Sequence, residues 1–170
     1  KMLEARKSKK TAWISYDTLY IDGRAVKDEK GCIRDELNVC SWNCNGLTQC
    51  KLDSSDFTEI CTKNDIIFIY ESWTHTNSNI DIQGFKSFTF YRHYQHRRAR
   101  RHSGGVVVYI RNSIANGISV VRNHFNTIIW LKLDKTFFKL DDDAFVCGVY
   151  IWGEDSPMYN IKNIDLFSLL

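Results

Sequence analysis

Two stretches of the sequence, IIFIY at 66–70 and VVVYI at 106–110, are apolar at every position. Successive residues of a β-strand point to opposite faces of its sheet, so a strand that is apolar throughout is buried on both faces. The first stretch has the length of a strand and lies between the polar residues Asp65 and Glu71. These stretches therefore predict a sheet that is covered on both sides.

The neighbouring pattern predicts a βαβ unit followed by antiparallel strands. LNVCSWN at 37–43 alternates and runs into the turn residues Asn45-Gly46, and DSSDFTEICTK at 53–63 opens with capping residues of a helix. Further short strands are expected in KSFTFYRH, GGVVVYIR, SVVR, TIIWLKL, FFKL and AFVCGVYI, with Asp134-Lys135 as a hairpin turn and IKNIDLFSLL as a closing helix. The fold class expected is α+β, an α/β layered sandwich.

Helices packed on a single sheet cover only one of its two faces, so a second sheet is needed to cover the other face. We expect that sheet to come from residues beyond Leu170, which would leave the 170-residue chain structurally unfinished.

Composition is that of a globular domain, with 44% hydrophobic and 14% aromatic residues. The chain has no apolar run of about 18 residues and no secretion signal. Its six cysteines include no C-x-x-C pair, which favours free thiols over a zinc site. An intracellular protein, nuclear or cytoplasmic and neither secreted nor membrane-bound, is expected.

Four motifs occur in a fixed order: SWNCNGL at 41–47, IIFIYESW at 66–73, SGGVVVYIR at 103–111 and CGVYIW at 147–152. In this order and at this spacing they resemble the endonuclease/exonuclease/phosphatase family, which is DNase I-like, and are most similar to the endonucleases of non-LTR retrotransposons. The resemblance covers residues 37–170 and corresponds to the N-terminal part of such a domain. Residues 1–36 form a basic leader or linker, which weakly resembles the tail of a retrotransposon nucleic-acid-binding domain and is otherwise an adventitious leader.

The resemblance implies a phosphodiesterase that depends on Mg²⁺, with Mn²⁺ as a substitute, and that acts on nucleic acid, DNA in preference to RNA or inositol phosphates. Glu71 and Asn43 are implied as metal ligands and catalytic residues, and Tyr150 as a catalytic residue whose phenol donates to the phosphate. Asn45 is implied as a nucleic-acid contact. Without the resemblance, Glu71 reads as a solvated strand-end acid, Tyr150 as a core tyrosine and the two asparagines as turn formers.

A basic stretch, YRHYQHRRARRH at 91–102, holds five Arg and three His without an acid, although the whole chain carries a net charge of only +3. This stretch is a candidate phosphate-facing loop, or alternatively a solvated loop without a partner. Tyr91 and Tyr94 are candidates for stacking on bases. The arginines expected to contact the nucleic-acid backbone are Arg97, Arg98, Arg100 and Arg101.

Two motifs of the family, G-D-x-N and S-D-H, are absent from the sequence, and none of its histidines follows an Asp. The chain is therefore expected to be inactive alone and to need the remainder of the domain, or a reverse transcriptase in a longer product, as a partner. The alternatives are a non-catalytic nucleic-acid-binding module and a non-functional retroelement remnant. Tyr70 also departs from the family, which commonly has Gln before its glutamate.

Overall fold

The computed structural model describes the backbone of four short strands before residue 35, and both backbone and side chains of residues 36–75, 78–91 and 103–151. The strands are β1 (Ala12–Ser15), β2 (Thr18–Ile21), β3 (Val26–Lys27), β4 (Ile33–Arg34), β5 (Leu37–Asn43), β6 (Ile66–Tyr70), β7 (Phe85–Phe90), β8 (Val106–Arg111), β9 (Ile118–His124), β10 (Ile128–Leu133) and β11 (Ala144–Val149). The helices are α1 (Gln49–Leu52), α2 (Ser55–Lys63), α3 (Asn112–Ala115) and α4 (Lys135–Phe138).

Two sheets form the sandwich, and β3 and β4 pair separately as a two-stranded sheet. The larger has the strand order β1-β2-β5-β6-β8-β7, and the smaller has the order β11-β10-β9. Strands β5 and β6 are parallel, whereas β8 pairs antiparallel with both β6 and β7. The predicted βαβ unit followed by antiparallel strands is therefore confirmed, with α1 and α2 in its crossover.

Alternate residues of the central strands enter two different cores. In β6, Phe68 and Tyr70 pack between the two sheets, where β10 contributes Leu131. Ile67 and Ile69 point the other way and pack in a second core with Phe57 of α2. The prediction of strands buried on both faces, within an α+β two-sheet sandwich, is confirmed. The expectation that this chain leaves the second face bare is wrong, because β9, β10 and β11 cover it.

Helix α2 forms where its sequence signals predicted. The Ser54 side chain accepts a hydrogen bond from the Phe57 N–H at 3.2 Å and so caps the helix, and Phe57 and Cys61 are buried on its inner face. None of the helices in the described part of the chain is long and apolar enough to span a membrane.

The segment FFKL, predicted as a strand, instead contains the second half of helix α4. Asp134 caps this helix, since its Oδ1 accepts from the N–H groups of Thr136 and Phe137 at 2.8 and 2.9 Å. The left-handed residue Lys139, with φ 55°, ends it. A cap in place of the predicted hairpin turn therefore makes the connection from β10 to β11. The predicted closing helix IKNIDLFSLL lies outside the described residues.

Candidate active site

One end of the sandwich brings together three of the residues singled out by the sequence. Asn43 ends β5 in register with Tyr70, the last residue of β6, so that Glu71 follows at the same edge of the sheet. Tyr150 follows β11 in the other sheet, and its ring stacks on Tyr70 with centroids 5.7 Å apart. The ends of three strands thus place an amide, a carboxylate and a phenol around Tyr70.

The Glu71 carboxylate is held through one of its two oxygens. Oε2 accepts hydrogen bonds from the Trp73 indole N–H and from the Gly104 main-chain N–H, both at 3.0 Å. Oε1 accepts no hydrogen bond from any residue in the described part of the chain. Glu71 itself is half-buried and has a left-handed φ of 53°. The result is a fixed carboxylate with one oxygen available to a ligand.

The turn after β5 carries both candidate asparagines. The exposed Asn43 accepts at Oδ1 from the Asn45 N–H, 3.2 Å away, and Asn45 and Gly46 follow with φ of 48° and 93°. The Gly46 N–H donates to the Glu71 carbonyl at 2.7 Å, which joins this turn to the segment that carries the carboxylate. Asn45 is therefore both a turn former and an exposed residue at the site's edge.

Lys51, from helix α1, stabilises the same turn through hydrogen bonds to its carbonyls. Its ammonium donates to the carbonyls of Cys44, Asn45 and Gly46, the latter two at 3.1 and 2.8 Å. These carbonyls converge because the left-handed residues turn the chain back on itself. The ammonium is used within the protein, so it shapes the site without facing a substrate.

A pair of glycines, Gly104 and Gly105, supports the carboxylate from the opposite side. Their φ values of 72° and 86° belong to the region that glycine adopts without strain. Their carbonyls accept from the N–H groups of Trp73 and Ser72 at 2.9 and 3.2 Å. A side chain at position 105 would lie 2.9 Å from the Ser72 hydroxyl. The close approach of these two segments explains the Gly-Gly sequence.

Tyr70, which stands where the family commonly has Gln, connects the two sheets. Burial raises the pKa of its phenol well above the ordinary range, so the group stays neutral even where an exposed tyrosine ionises. A Cβ on Gly148 of β11 would lie 2.7 Å from the Tyr70 hydroxyl oxygen and 2.3 Å from a ring carbon of Phe68. A glycine at this point is what allows both rings to fit between the sheets.

The donor set at this edge fits a hard cation that keeps most of its water. Among the described residues, no group of three or more His, Cys, Asp or Glu side chains could hold a metal ion. Glu71 Oε1 and the amide oxygen of Asn43 are hard ligands, which suit Mg²⁺ because that ion binds through one or two protein oxygens and several waters. They do not suit Zn²⁺, which favours nitrogen and sulfur ligands.

Residues 92–102 of the basic stretch lie outside the described residues, so Arg97, Arg98, Arg100 and Arg101 have no described position. Its two flanks are described. The Tyr91 carbonyl accepts from the Asn126 side-chain amide at 2.9 Å, and Gly104 donates to Glu71. The residues on either side of the basic stretch therefore lie near the same edge of the sheet as the carboxylate.

Sequence patterns had not indicated three residues of this site: Lys51, Trp73 and Gly148. A glycine inside an apolar strand often marks a close approach of another segment, so Gly148 carried a usable signal. Trp73 adjoins the carboxylate in sequence, but nothing in the spacing shows that its indole turns back onto residue 71. Lys51 lies on a short helix where a solvated lysine is the ordinary expectation.

Comparison with known proteins agrees with this architecture. The sandwich of two sheets with an acid, an amide and a phenol at one edge defines an α+β domain of the DNase I-like class. Residues 40–162 match the Endonuclease/Exonuclease/phosphatase family, which is more than half of the chain, and the chain belongs to that family. No curated protein and no solved structure matches the chain significantly.

Proposed function

We propose that the chain carries part of a Mg²⁺-dependent nuclease site, centred on Glu71, and that this site acts on the phosphodiester backbone of DNA. The observation that carries this proposal is the state of the Glu71 carboxylate. Two N–H groups hold Oε2, and Oε1 accepts no hydrogen bond within the described residues, at the edge shared with Asn43 and Tyr150.

Glu71 Oε1 and the Asn43 amide oxygen are the ligands we assign to Mg²⁺, for which Mn²⁺ can substitute. Bound there, the ion would neutralise charge on the phosphate oxygens and on the leaving oxygen. Glu71 keeps its carboxylate at the sheet edge because two donors fix it there, and Asn43 keeps its amide there because the Asn45 N–H orients it.

Tyr150 is assigned to the phosphate. Stacking on Tyr70 and a 2.9 Å hydrogen bond from its own N–H to the Thr127 carbonyl hold its backbone and ring in place. A phenol held in this way can donate to a phosphate oxygen as charge develops on it, with little reorganisation. Asn45, exposed on the adjoining turn, is assigned to contact with a neighbouring nucleotide.

DNA is the proposed substrate because the basic stretch begins and ends at this edge. Its arginines would contact phosphates without reading sequence, and Arg97, Arg98, Arg100 and Arg101 are the four assigned to that role. The order of the four sequence motifs supports a retroelement-type nuclease. Changing these four arginines to Glu is expected to weaken binding to duplex DNA and to flatten its dependence on salt. Binding with an unchanged salt slope would remove the arginines from the interface.

Turnover by these 170 residues alone is not expected. The sequence contains neither G-D-x-N nor S-D-H, and these motifs supply the groups that orient water and contact the phosphate in the family. Loss of one member of a concerted catalytic set removes most of the rate. The proposed activity of the isolated chain is therefore metal and DNA binding without cleavage.

The test compares Glu71→Gln with Glu59→Gln, a matched change at an exposed helix position. Mn²⁺ binding is measured by the paramagnetic resonance signal of the free ion, and nicking of supercoiled plasmid is followed with Mg²⁺ or with EDTA. We expect Glu71→Gln to abolish Mn²⁺ binding and Glu59→Gln to preserve it. No nicking of the plasmid is expected. Equal Mn²⁺ binding by both variants would exclude the metal site. DNA binding that persists without metal and without a Glu71 effect would favour a non-catalytic binding module.

A further inference from the structure

The indole of Trp73 contacts both the Glu71 carboxylate and the turn that follows β5. Its Nε1–H donates to Glu71 Oε2 at 3.0 Å. Its six-membered ring lies against Gly46, where an added Cβ would be 2.3 Å from Cε3. The side chain therefore touches the carboxylate and the turn that carries Asn43 and Asn45.

The backbone around Trp73 adopts a conformation that makes this contact possible. Glu71 and Trp73 both have left-handed φ values, 53° and 54°, a backbone conformation that side-chain-bearing residues rarely adopt. Main-chain hydrogen bonds hold the segment in place, from Trp73 N–H to the Gly104 carbonyl at 2.9 Å and from Gly46 N–H to the Glu71 carbonyl at 2.7 Å. Strain of this kind persists only where the surroundings fix it, and here it brings an N–H donor onto the carboxylate.

We propose that Trp73 is a positioning residue for the metal-binding carboxylate. Together with the Gly104 N–H, its indole N–H occupies Oε2 and leaves Oε1 as the oxygen that meets the cation. Hydrogen bonds to the ligands of a metal fix their orientation, and losing one such partner weakens metal binding about 10–100-fold. The inference rests on the proposed function, in which Glu71 binds Mg²⁺.

A purely structural role is the alternative, since the ring also packs on Gly46. Trp73→Phe separates the two roles, because phenylalanine keeps an aromatic ring over Gly46 and lacks the N–H donor. Trp130→Phe is the matched control. Its indole Nε1 is buried and has no hydrogen-bond partner among the described residues. That substitution removes the same N–H group without touching the carboxylate.

The experiment measures Mn²⁺ affinity of the full chain in the wild type, Trp73→Phe, Trp130→Phe and Glu71→Gln. We expect Glu71→Gln to abolish binding, Trp73→Phe to weaken it about 10-fold or more and Trp130→Phe to leave it unchanged. Wild-type affinity in Trp73→Phe, with binding lost in Glu71→Gln, would overturn the positioning role alone. Retained binding in Glu71→Gln would instead overturn the metal site on which it rests.

Nuclear magnetic resonance of the unmodified chain provides a second test that does not depend on the folding of Trp73→Phe. The indole N–H resonance of Trp73, assigned through its own backbone, is expected to shift on Mg²⁺ addition and to shift again in Glu71→Gln. That of Trp130 is expected to stay in place under both changes. A Trp73 resonance that follows neither the metal nor the Glu71 charge would overturn the inference.

Discussion

Tyr70 and Tyr150 stack across the two sheets, with ring centroids 5.7 Å apart and planes inclined by 23°. Tyr70 ends β6 and Tyr150 follows β11, and they meet because Gly148 leaves space for the Tyr70 hydroxyl, which would lie 2.7 Å from a Cβ at that position. The position of the phenol assigned to the phosphate therefore depends on a glycine two residues before it.

Gly148→Ala is expected to displace Tyr70 and, through the stack, Tyr150. Overpacking of this kind costs about 1–3 kcal/mol of unfolding free energy, because Phe68 and the Tyr70 hydroxyl have to move away from the new methyl group. Urea denaturation measures the loss. Phosphorus resonance of a bound short DNA duplex reports whether the contact with the phosphate changes.

Gly117→Ala is the control for that experiment. A Cβ at Gly117 would lie 2.2 Å from a ring carbon of Phe137, a contact far from Tyr70 and Tyr150 in the fold. A comparable loss of stability is expected, with the bound phosphorus spectrum unchanged. If both variants altered the DNA contact equally, the effect would come from general destabilisation and not from the tyrosine stack.

Gly46→Ala is expected to damage the turn beneath Trp73 in two ways. Alanine at φ 93° is strained, and its methyl group would lie 2.3 Å from the indole Cε3. Gly84, with φ 88° and nothing within 4 Å of an added Cβ, is a matched control that carries only the conformational strain. Gly84→Ala is expected to lose about 1–2 kcal/mol of unfolding free energy, and Gly46→Ala to lose about 1–3 kcal/mol more. Equal losses in the two variants would show that Trp73 moves aside without cost.

The sheets of this fold were accessible from sequence because their signal is simple. Apolar residues at every position of β6 and at the first five positions of β8 indicated burial on both faces, and alternate residues do enter two cores. The connection from β10 to β11 was not accessible in the same way. Aspartate is common both in hairpin turns and at helix N-termini. Only the folded chain shows that Asp134 accepts hydrogen bonds from two helical N–H groups.

The candidate site divides in the same manner. The family resemblance singled out Asn43, Glu71 and Tyr150, each at or just after the end of a strand, and in the structure they lie at one edge. Two residues that hold the site, Trp73 and Lys51, were missed because they act through contacts made at left-handed turns. No periodicity encodes the return of Trp73 onto Glu71, or of the Lys51 ammonium onto three carbonyls.

Lys51→Met tests whether that ammonium holds the asparagine turn. Methionine keeps the length of the aliphatic chain and removes the charged donors, and the expected loss of unfolding free energy is about 1.5–3 kcal/mol. Hydrogen exchange of the Gly46 and Leu47 amides should also accelerate. Lys63→Met is the control, because Lys63 makes an exposed ion pair with Glu59 and should change stability little. Equal effects of the two changes would mean that the turn does not depend on Lys51.

The buried thiol of Cys44 and the half-buried thiol of Cys147 are expected to make the fold less stable in mildly alkaline solution. Burial raises the pKa of Cys44 to about 11 and that of Cys147 to about 12, against an ordinary value near 9. Stability is therefore intact below the pKa of the unfolded thiols. It falls as pH rises above that value, because the unfolded chain then releases protons that the folded chain retains. The thermal midpoint should decrease between about pH 8.5 and pH 9.5, a window in which unfolded thiols ionise before most tyrosine and lysine side chains do. The Cys44→Ala, Cys147→Ala double variant should show a shallower decrease, whereas Cys50→Ala, at an exposed position, should follow the wild type. A double variant as sensitive to pH as the wild type would assign the alkaline loss to other groups.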